Sequence, residues 1–515
     1  MKKILTANQM KDLDRYTIEE IGIPSMVLME RAALAVFDEI KSYIVDTNLK
    51  PSKTKVLIVC GGGNNGADGM AVARLLYNYG ALVQVILLGD EEKYSEECKK
   101  QLYILQNMGM SVGAQIKDAE YDIIVDAMFG IGLKRSLQDQ YYECVESMNR
   151  MPGFKVAVDI PSGLDTDTGI VKGIAFKADM TVTFEFLKRG LFLGDGPLYS
   201  GKVVCREIGI MHVDLDATHK YLYAFDEQIP QLLPYRNPNG NKGTFGKVYI
   251  YAGSKDTMGA ALLCAKSAFS AGAGMVKVLC AKEYDKLFLE RIPEVMLSCY
   301  EHDVDSDVLE QQIQKDLHWA DSVVVGPGIG IDKLALDILH LILKYAKVPM
   351  VFDADALNIL ATNVGLKQDL LATSKEFARD LILTPHVGEL GRLLSLSTTE
   401  IKEKAYECAT MLSALYHCIA VCKDAKTVVA KEGQIGYLNL SGNHGMATAG
   451  SGDVLAGIIG AYAALEGDLY RNVLKAVYLH GCAGDYAAEM VGERALMASH
   501  IIEGVQQIQK GNKNA

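Results

Sequence analysis

The chain has 515 residues, too many for one hydrophobic core, so two or three domains are expected. Hydrophobic residues make up 49% and charged residues 23%, an ordinary globular balance that excludes a disordered or fibrous chain. The net charge of −12, from 64 acidic against 52 basic residues, speaks against a nucleic-acid partner held by a basic footprint; an anionic ligand would need local donors.

Lys2 and Lys3 lead no apolar run, because Gln9, Lys11, Asp12 and Asp14 follow, so no signal peptide is expected. Residues 7–40 read as helical, an extension packed on the sheet that follows. Lys55-Val-Leu-Ile-Val-Cys60 is a buried strand, and beyond the next glycines residues 70–79 repeat apolar side chains at i, i+3 and i+4. This opens a strand–helix–strand unit. Short apolar runs at 83–88, 123–125, 156–158, 181–186 and 203–205 continue the alternation, which implies a parallel sheet with helices on both faces. The rhythm breaks over 213–241, where Pro230, Pro234 and Pro238 stand among polar residues. Domains of 1–215 and 231–515, joined by a linker at 216–230, are expected.

The alternation restarts with a strand at 247–251, a helix at 259–271, and strands at 275–279, 323–325, 350–352, 381–383, 419–422 and 427–430, a second α/β sheet. Residues 452–491 read as two helices dense in Ala and Gly, whose small side chains permit close packing or close approach to a ligand. Within them the longest apolar stretch, 454–465, is well short of the ~20 residues that span a bilayer. Eleven cysteines lie without zinc-type or Cys-x-x-Cys spacing, which fits reduced thiols. A cytoplasmic protein with no membrane partner, assembled as a homo-oligomer, is expected.

Gly61-Gly-Gly63-Asn64-Asn65-Gly66 satisfies Gly-x-Gly-x-x-Gly after a strand, and Asp90 closes the next strand where a ribose-binding acid would sit. Alone, this reads as a dinucleotide-binding oxidoreductase. Against that, Asn64, Asn65 and Asp68 put polar side chains where a pyrophosphate loop uses bare backbone, and Asp68 would repel phosphate. Two further strands end in acids, Asp126-Ala-Met-Phe-Gly130-Ile-Gly132 and Asp159-Ile-Pro-Ser162-Gly163, and strand ends are where open α/β sheets bind ligands. Asp126 and Asp159 are therefore expected to face one crevice. Each acid taken singly is more often a turn former. Asn65, Asp126 and Ser162 offer hard oxygens suited to a cation, and Asp159 could serve as acid or base.

These three motifs, with Met29-Glu30-Arg-Ala, resemble the NAD(P)H-hydrate epimerase family over about residues 1–215, with Ala67 where that family has a second glycine. The resemblance implies a Rossmann-like domain that interconverts the R and S forms of hydrated NADH and NADPH. It implies K+ held by Asn65, Asp126 and Ser162. Substrate contacts would come from Asn64, Asn65, Gly66, Ala67 and Asp68, from Gly130, Ile131, Gly132, Leu133, Lys134, Arg135 and Ser136, and from Asp159.

In the second half Met446-Ala-Thr-Ala-Gly450-Ser451-Gly452-Asp453 delivers one carboxylate into the first turn of an apolar helix. Backbone N–H groups there attract phosphate oxygens, and the carboxylate can accept the proton of an attacking hydroxyl; a plain first-turn acid that offsets the helix dipole has the same pattern. Gly326-Pro-Gly328-Ile-Gly330, Asp353-Ala-Asp355, Thr384-Pro-His386-Val-Gly-Glu389 and Lys423-Asp424-Ala425-Lys426-Thr427 follow successive strands, and Ala260 opens a helix. Convergence on one cleft is expected.

This set resembles the ribokinase-like superfamily and, within it, the ADP/ATP-dependent NAD(P)H-hydrate dehydratase branch, over about residues 231–508; Ser451 replaces the branch's Thr and Asn241 its His. The resemblance implies nucleotide contacts from Lys423 to Thr427 and from Gly450, Ser451 and Gly452. It implies hydrate contacts from Ala260, Gly328, His386 and Asp453, with Asp453 catalytic, and a Mg2+-bound water on Glu389. The expected protein is a bifunctional repair enzyme acting on hydrated NADH and NADPH with ADP or ATP. The alternatives are a small-molecule kinase of the thiamine-precursor type in the second half, and a non-catalytic ligand- or RNA-binding module in the first.

Overall fold

The structure is a computed structural model that describes residues 1–117, 119–213, 221–226, 232–301, 303–377 and 380–510. It divides into two compact units, Lys2–Leu222 and Tyr223–Ala515. The division falls within the expected linker, of which residues 216–220 and 227–230 lie outside the described residues.

The N-terminal unit opens with β1 (Lys2–Leu5), which sequence periodicity does not signal. The expected extension at 7–40 is two helices, Ala7–Arg15 with a further turn Tyr16–Glu20, and Ser25–Asp46. Gly22, at φ +86°, and Pro24, which has no N–H to give, break the run between them. The strands that follow are β2 (Lys55–Cys60), β3 (Leu82–Leu87), β4 (Val112–Gly113), β5 (Ile123–Ala127), β6 (Phe154–Val158), β7 (Met180–Phe184), β8 (Leu187–Lys188) and β9 (Lys202–Arg206). Their main sheet has the order β4-β3-β2-β5-β6-β7-β9, every pair parallel. Apolar residues alternate between its faces. Val56, Ile58 and Cys60 enter a core shared with the helix Ser25–Asp46, while Leu57 and Val59 enter another with Val145 and Met148. From β2 the chain moves outward to β3 and β4, then returns to β5 on the other side of β2. That reversal opens a crevice at the carboxyl ends of β2 and β5.

In the second unit, after β10 (Leu222–Ala224) at the division, come β11 (Lys247–Tyr251), β12 (Met275–Ala281), β13 (Met296–Tyr300), β14 (Ser322–Val325), β15 (Met350–Phe352), β16 (Leu381–Leu383), β17 (Cys418–Cys422), β18 (Val428–Ala430) and β19 (Gly436–Leu438). The order is β13-β12-β11-β14-β15-β16-β17-β18-β19, parallel through β17 and antiparallel beyond it. Register sets Val325, Phe352, Leu383 and Ala420 side by side, so four strands finish along one edge. Helices Met258–Ser270 and Ser451–Ala463 cross closely over one face: a Cβ on Gly457 would lie 2.2 Å from the Cys264 carbonyl oxygen. Among the described residues no helix is long and apolar enough to cross a membrane.

Candidate active sites

The crevice of the N-terminal unit is a cavity of about 460 Å3. The helix on its wall starts at Asn64, not at residue 70, since the low-propensity Asn64, Asn65, Gly66 and Gly69 are carried by packing of Ala67, Met70 and Ala71 on the sheet. Gly66 is required there, because a Cβ would stand 1.7 Å from the Gly61 carbonyl oxygen. Asn64, Asn65 and Asp68 line the cavity with Gly130, Ile131, Gly132, Leu133 and Asp159. Gly66 and Ala67 are buried behind the wall, and Lys134, Arg135 and Ser136 are exposed beyond it.

The expectation that Asp126 and Asp159 share the crevice needs correcting. Asp126 is fully buried beneath the wall, where the Ser162 hydroxyl donates to Oδ1 at 2.7 Å, the Met128 N–H to Oδ1 at 3.2 Å, and the Ser162 N–H to Oδ2 at 2.7 Å. Such donors would lower a carboxyl pKa, but burial outweighs them and raises it to about 6. The Ser162 oxygen accepts from the N–H of Phe129, a wall residue. Asn65 reaches the same place, its amide oxygen 3.0 Å from where a Gly130 Cβ would be, and its buried amide nitrogen has no partner. Turned over, that amide would add a third side-chain oxygen, so the set fits a hard monovalent cation.

Asp159 ends β6 at φ +66°, a conformation rare outside glycine. Its Oδ1 accepts from Lys188 Nζ at 2.7 Å and from the Thr183 hydroxyl at 2.9 Å. Lys188 is 1% exposed. Neither Lys188 nor Asp14, which also lines the cavity, is signalled by a motif; Lys188 stands beside Arg189 in the stretch Phe184 to Phe192, and nothing local tells the two cations apart.

In the second unit the loops after β15, β16 and β17 meet. Lys423 Nζ donates to Asp353 Oδ1 at 2.6 Å, and the Thr384 hydroxyl to the same oxygen at 2.7 Å. Between Asp353 and Asp355, Ala354 has φ +47°, strain of the kind found at functional sites. A Cβ on Gly452 would lie 3.4 Å from Lys423 Nζ, so the ion pair abuts the start of the helix Ser451–Ala463. Gly450 caps that helix at φ +88°, and a Cβ there would come within 2.5 Å of Leu263. Among the described residues, the N–H groups of Gly450, Gly452 and Asp453 have no acceptor, whereas that of Ser451 reaches the Thr448 carbonyl at 3.3 Å. The Asp453 carboxyl is pushed up to about 6 by burial and then by the Asp353 charge, against the pull of Lys423. His480, which no motif reveals, holds the Ser451 carbonyl at 3.1 Å.

The other expected residues divide. The Thr257 hydroxyl donates to the Gly328 carbonyl at 2.6 Å, tying that turn to the helix that carries Ala260. His386 and Glu389 form a capping box, with Glu389 Oε2 accepting from the His386 N–H at 2.9 Å and Oε1 lying 3.3 Å from His386 Nε2. Oε2 of Glu389 is thus used within the turn, Oε1 accepts no hydrogen bond among the described residues, and burial raises the carboxyl pKa to about 7. Lys426 donates to the Leu440 and Gly442 carbonyls at 2.7 and 3.0 Å, Asp424 and Ala425 are exposed, and the Thr427 carbonyl accepts from the Asn439 N–H.

Fold and sites define a two-part α/β protein, with a cavity at a sheet's switch point in one half and, in the other, a helix start whose N–H groups have no acceptor among the described residues. Residues 25–190 match the family model of the YjeF-related protein N-terminus, and residues 248–507 that of NAD(P)H-hydrate dehydratase. The chain is 36% identical to the bifunctional NAD(P)H-hydrate repair enzyme of Moorella thermoacetica, covering 97% of this chain and 95% of that one. It is 33% identical to the Escherichia coli enzyme of the same name, covering 98% and 93%. Among solved structures, the ADP/ATP-dependent NAD(P)H-hydrate dehydratase of Bacillus subtilis, co-crystallised with ATP and Mg2+, is 26% identical over 55% of this chain and 96% of that one, with a TM-score of 0.47. The chain belongs to the family of bifunctional NAD(P)H-hydrate repair enzymes.

Proposed function

We propose that the N-terminal unit epimerises hydrated NADH and NADPH at C6 of the damaged nicotinamide ring, and that the C-terminal unit dehydrates the S form with ADP or ATP. The observation that carries this reading is Asp453, a half-buried carboxyl on a helix start whose N–H groups have no acceptor among the described residues and whose flank holds the Lys423–Asp353 pair. Asp453 takes the proton of the C6 hydroxyl, and the oxygen attacks the terminal phosphorus of the nucleotide as the bridging P–O bond breaks and AMP (from ADP) or ADP (from ATP) leaves. The N–H groups of Gly450, Gly452 and Asp453 meet the charge that develops on the phosphoryl oxygens. Phosphate then leaves as the C6–O bond breaks and the N1 lone pair forms C=N, and loss of a proton from C5 to solvent forms the C5=C6 bond and restores the reduced dinucleotide. Mg2+ bound with the nucleotide would neutralise phosphate charge, and the chain's own part is Lys423 and the helix start. Family analogy for a fused chain leans to ADP.

In the N-terminal unit Asn65, Asp126 and Ser162 would hold K+, which supplies fixed positive charge beneath the Phe129–Gly130 wall. Asp159 acts on the substrate from the cavity. A stereospecific dehydratase handles one epimer, and the first unit feeds it the other. Incubation with NADH hydrate and ADP or ATP tests the whole: the absorbance of NADH must return and phosphate must be released. A stable phosphorylated product without NADH would instead establish a kinase.

A further inference from the structure

The cavity of the N-terminal unit holds more chemistry than its motifs announce. Three carboxyl groups, those of Asp14, Asp68 and Asp159, line it, with the ammonium groups of Lys11 and Lys188. They are not equivalent. Lys188 Nζ donates to Asp159 Oδ1 at 2.7 Å, to the Thr183 hydroxyl at 2.9 Å and to the Phe184 carbonyl at 2.7 Å, which uses all three of its protons. The Thr183 hydroxyl passes its own proton to the same Asp159 oxygen, leaving Oδ2 of Asp159 outside the network. The chain bends to arrange this: Glu185, at φ +59°, turns β7 into β8, and its carboxylate is locked by the N–H groups of Ile208, Gly209 and Ile210. Asp68 has none of this support. Within the described residues no donor reaches its carboxyl, and burial with the charges of Asp159 and Asp14 lifts it well above the ordinary carboxylate range. Asp14 is raised in the same direction.

We propose that Lys188 is a positioning residue for epimerisation, fixing the Asp159 carboxylate as proton acceptor in the cavity that also presents Asp68 as proton donor. The proposal rests on the epimerase reading of this unit and deepens it. Both conceivable routes need that pair. Ring opening takes the C6 hydroxyl proton as C=O forms and the C6–N1 bond breaks, and gives a proton to N1; closure on the other face reverses both transfers. Loss of water gives a proton to the hydroxyl as the C6–O bond breaks and the N1 lone pair forms C=N, and takes one from the water that adds to the opposite face. In each case protons are given and taken at the heteroatoms bonded to C6, their sum is zero, and the net change is inversion at C6. Two side-chain donors fix Asp159 as the acceptor, and no donor among the described residues meets Asp68, whose burial favours its protonated form.

The test uses the full chain with R-form hydrate and excess nucleotide, so that S-form is removed as it appears. Lys188→Met should lower kcat for the R form at least ~10²-fold with KM within about threefold, and Lys188→Arg should retain more activity than Lys188→Met. Lys188→Ala should regain activity with added ethylammonium, a response that a loss of folding would not give. Asp68→Asn should lower kcat like Lys188→Met, and by more than Asp14→Asn does. Wild-type kcat in Lys188→Met, a pure KM effect, or a loss in Lys188→Ala that ethylammonium leaves untouched overturns the role of Lys188. Loss in Asp14→Asn with retention in Asp68→Asn overturns the donor. If the unsubstituted chain converts R form no faster than the spontaneous reaction, the epimerase reading itself fails, a result separate from these.

Discussion

The two sites handle charge in opposite ways. In the N-terminal unit the working carboxylate is answered from within the fold, since Lys188, 1% exposed, spends every proton of its ammonium on Asp159 and its neighbours. In the C-terminal unit Asp353, Glu389 and Asp453 gather around one lysine, and among the described residues three N–H groups at the helix start stay without an acceptor. In the first site the working carboxylate has its cation before any ligand arrives, although Asp68 beside it has none. The second is finished by its ligand: an anion that fills the helix start takes up the free donors, and carboxyl groups raised to about 6 and about 7 shed part of the negative charge that would repel it. A uniform substrate-binding role would not require this contrast, whereas isomerisation and phosphoryl transfer do.

The contrast predicts that the two activities separate. Asp453→Asn should cost dehydration at least ~10² in kcat and leave R-to-S conversion untouched; equal loss in both assays would break the division. Asp159→Ala should stop R-form turnover to a similar degree while dehydration of pure S form continues at the wild-type rate. Lys423→Met leaves Asp353 buried without its cation. A cost of about 3 kcal/mol in stability is expected, at the low end for a broken buried pair because Lys423 keeps 20% exposure, together with a raised KM for the nucleotide. Denaturant melts and initial rates check both, and an unchanged nucleotide KM would detach Lys423 from the phosphates. Replacing K+ by a buffer cation too large for the Asn65–Asp126–Ser162 set should slow epimerisation alone, by a smaller factor than any of these substitutions.

How far the sequence anticipates these sites depends on the range of the interactions. Asp126, Asp159, Gly328 and Lys423 are legible because a parallel strand announces itself by an apolar run and its end by a glycine or an acid. Lys188 is not legible. Its partner lies in another strand, and only the fold shows that a lysine inside Phe184 to Phe192 is paired and not an error of burial. Asp353 figures in its motif without a role, for the same reason: the Lys423 that defines it arrives from β17. The start of the helix at Asn64 is hidden because local propensity argues against it and tertiary packing decides. The strands β1, β13 and β19 are missed where runs are short or only partly apolar, and the antiparallel turn after β17 leaves no periodic mark.

The smallest expected effect distinguishes the units by pH. Burial and Asp353 raise Asp453 from 3.8 to about 6, so the base is ionised only above that range, and dehydration should weaken as pH falls through about 6. Stability moves the other way. Between 3.8 and about 6 the folded chain holds a proton that the unfolded chain has released, so the contribution of this group is fully present below 3.8 and is lost as pH rises through about 6. Asn at this position cannot titrate. Asp453→Asn, inactive as it should be, is therefore expected to raise Tm relative to the parent at about pH 7, and to lose that advantage toward about pH 4. A variant that is no more stable at the higher pH would mean that Asp453 sits in the folded protein as an ordinary solvated acid, and the helix start would then be a cap and not a site.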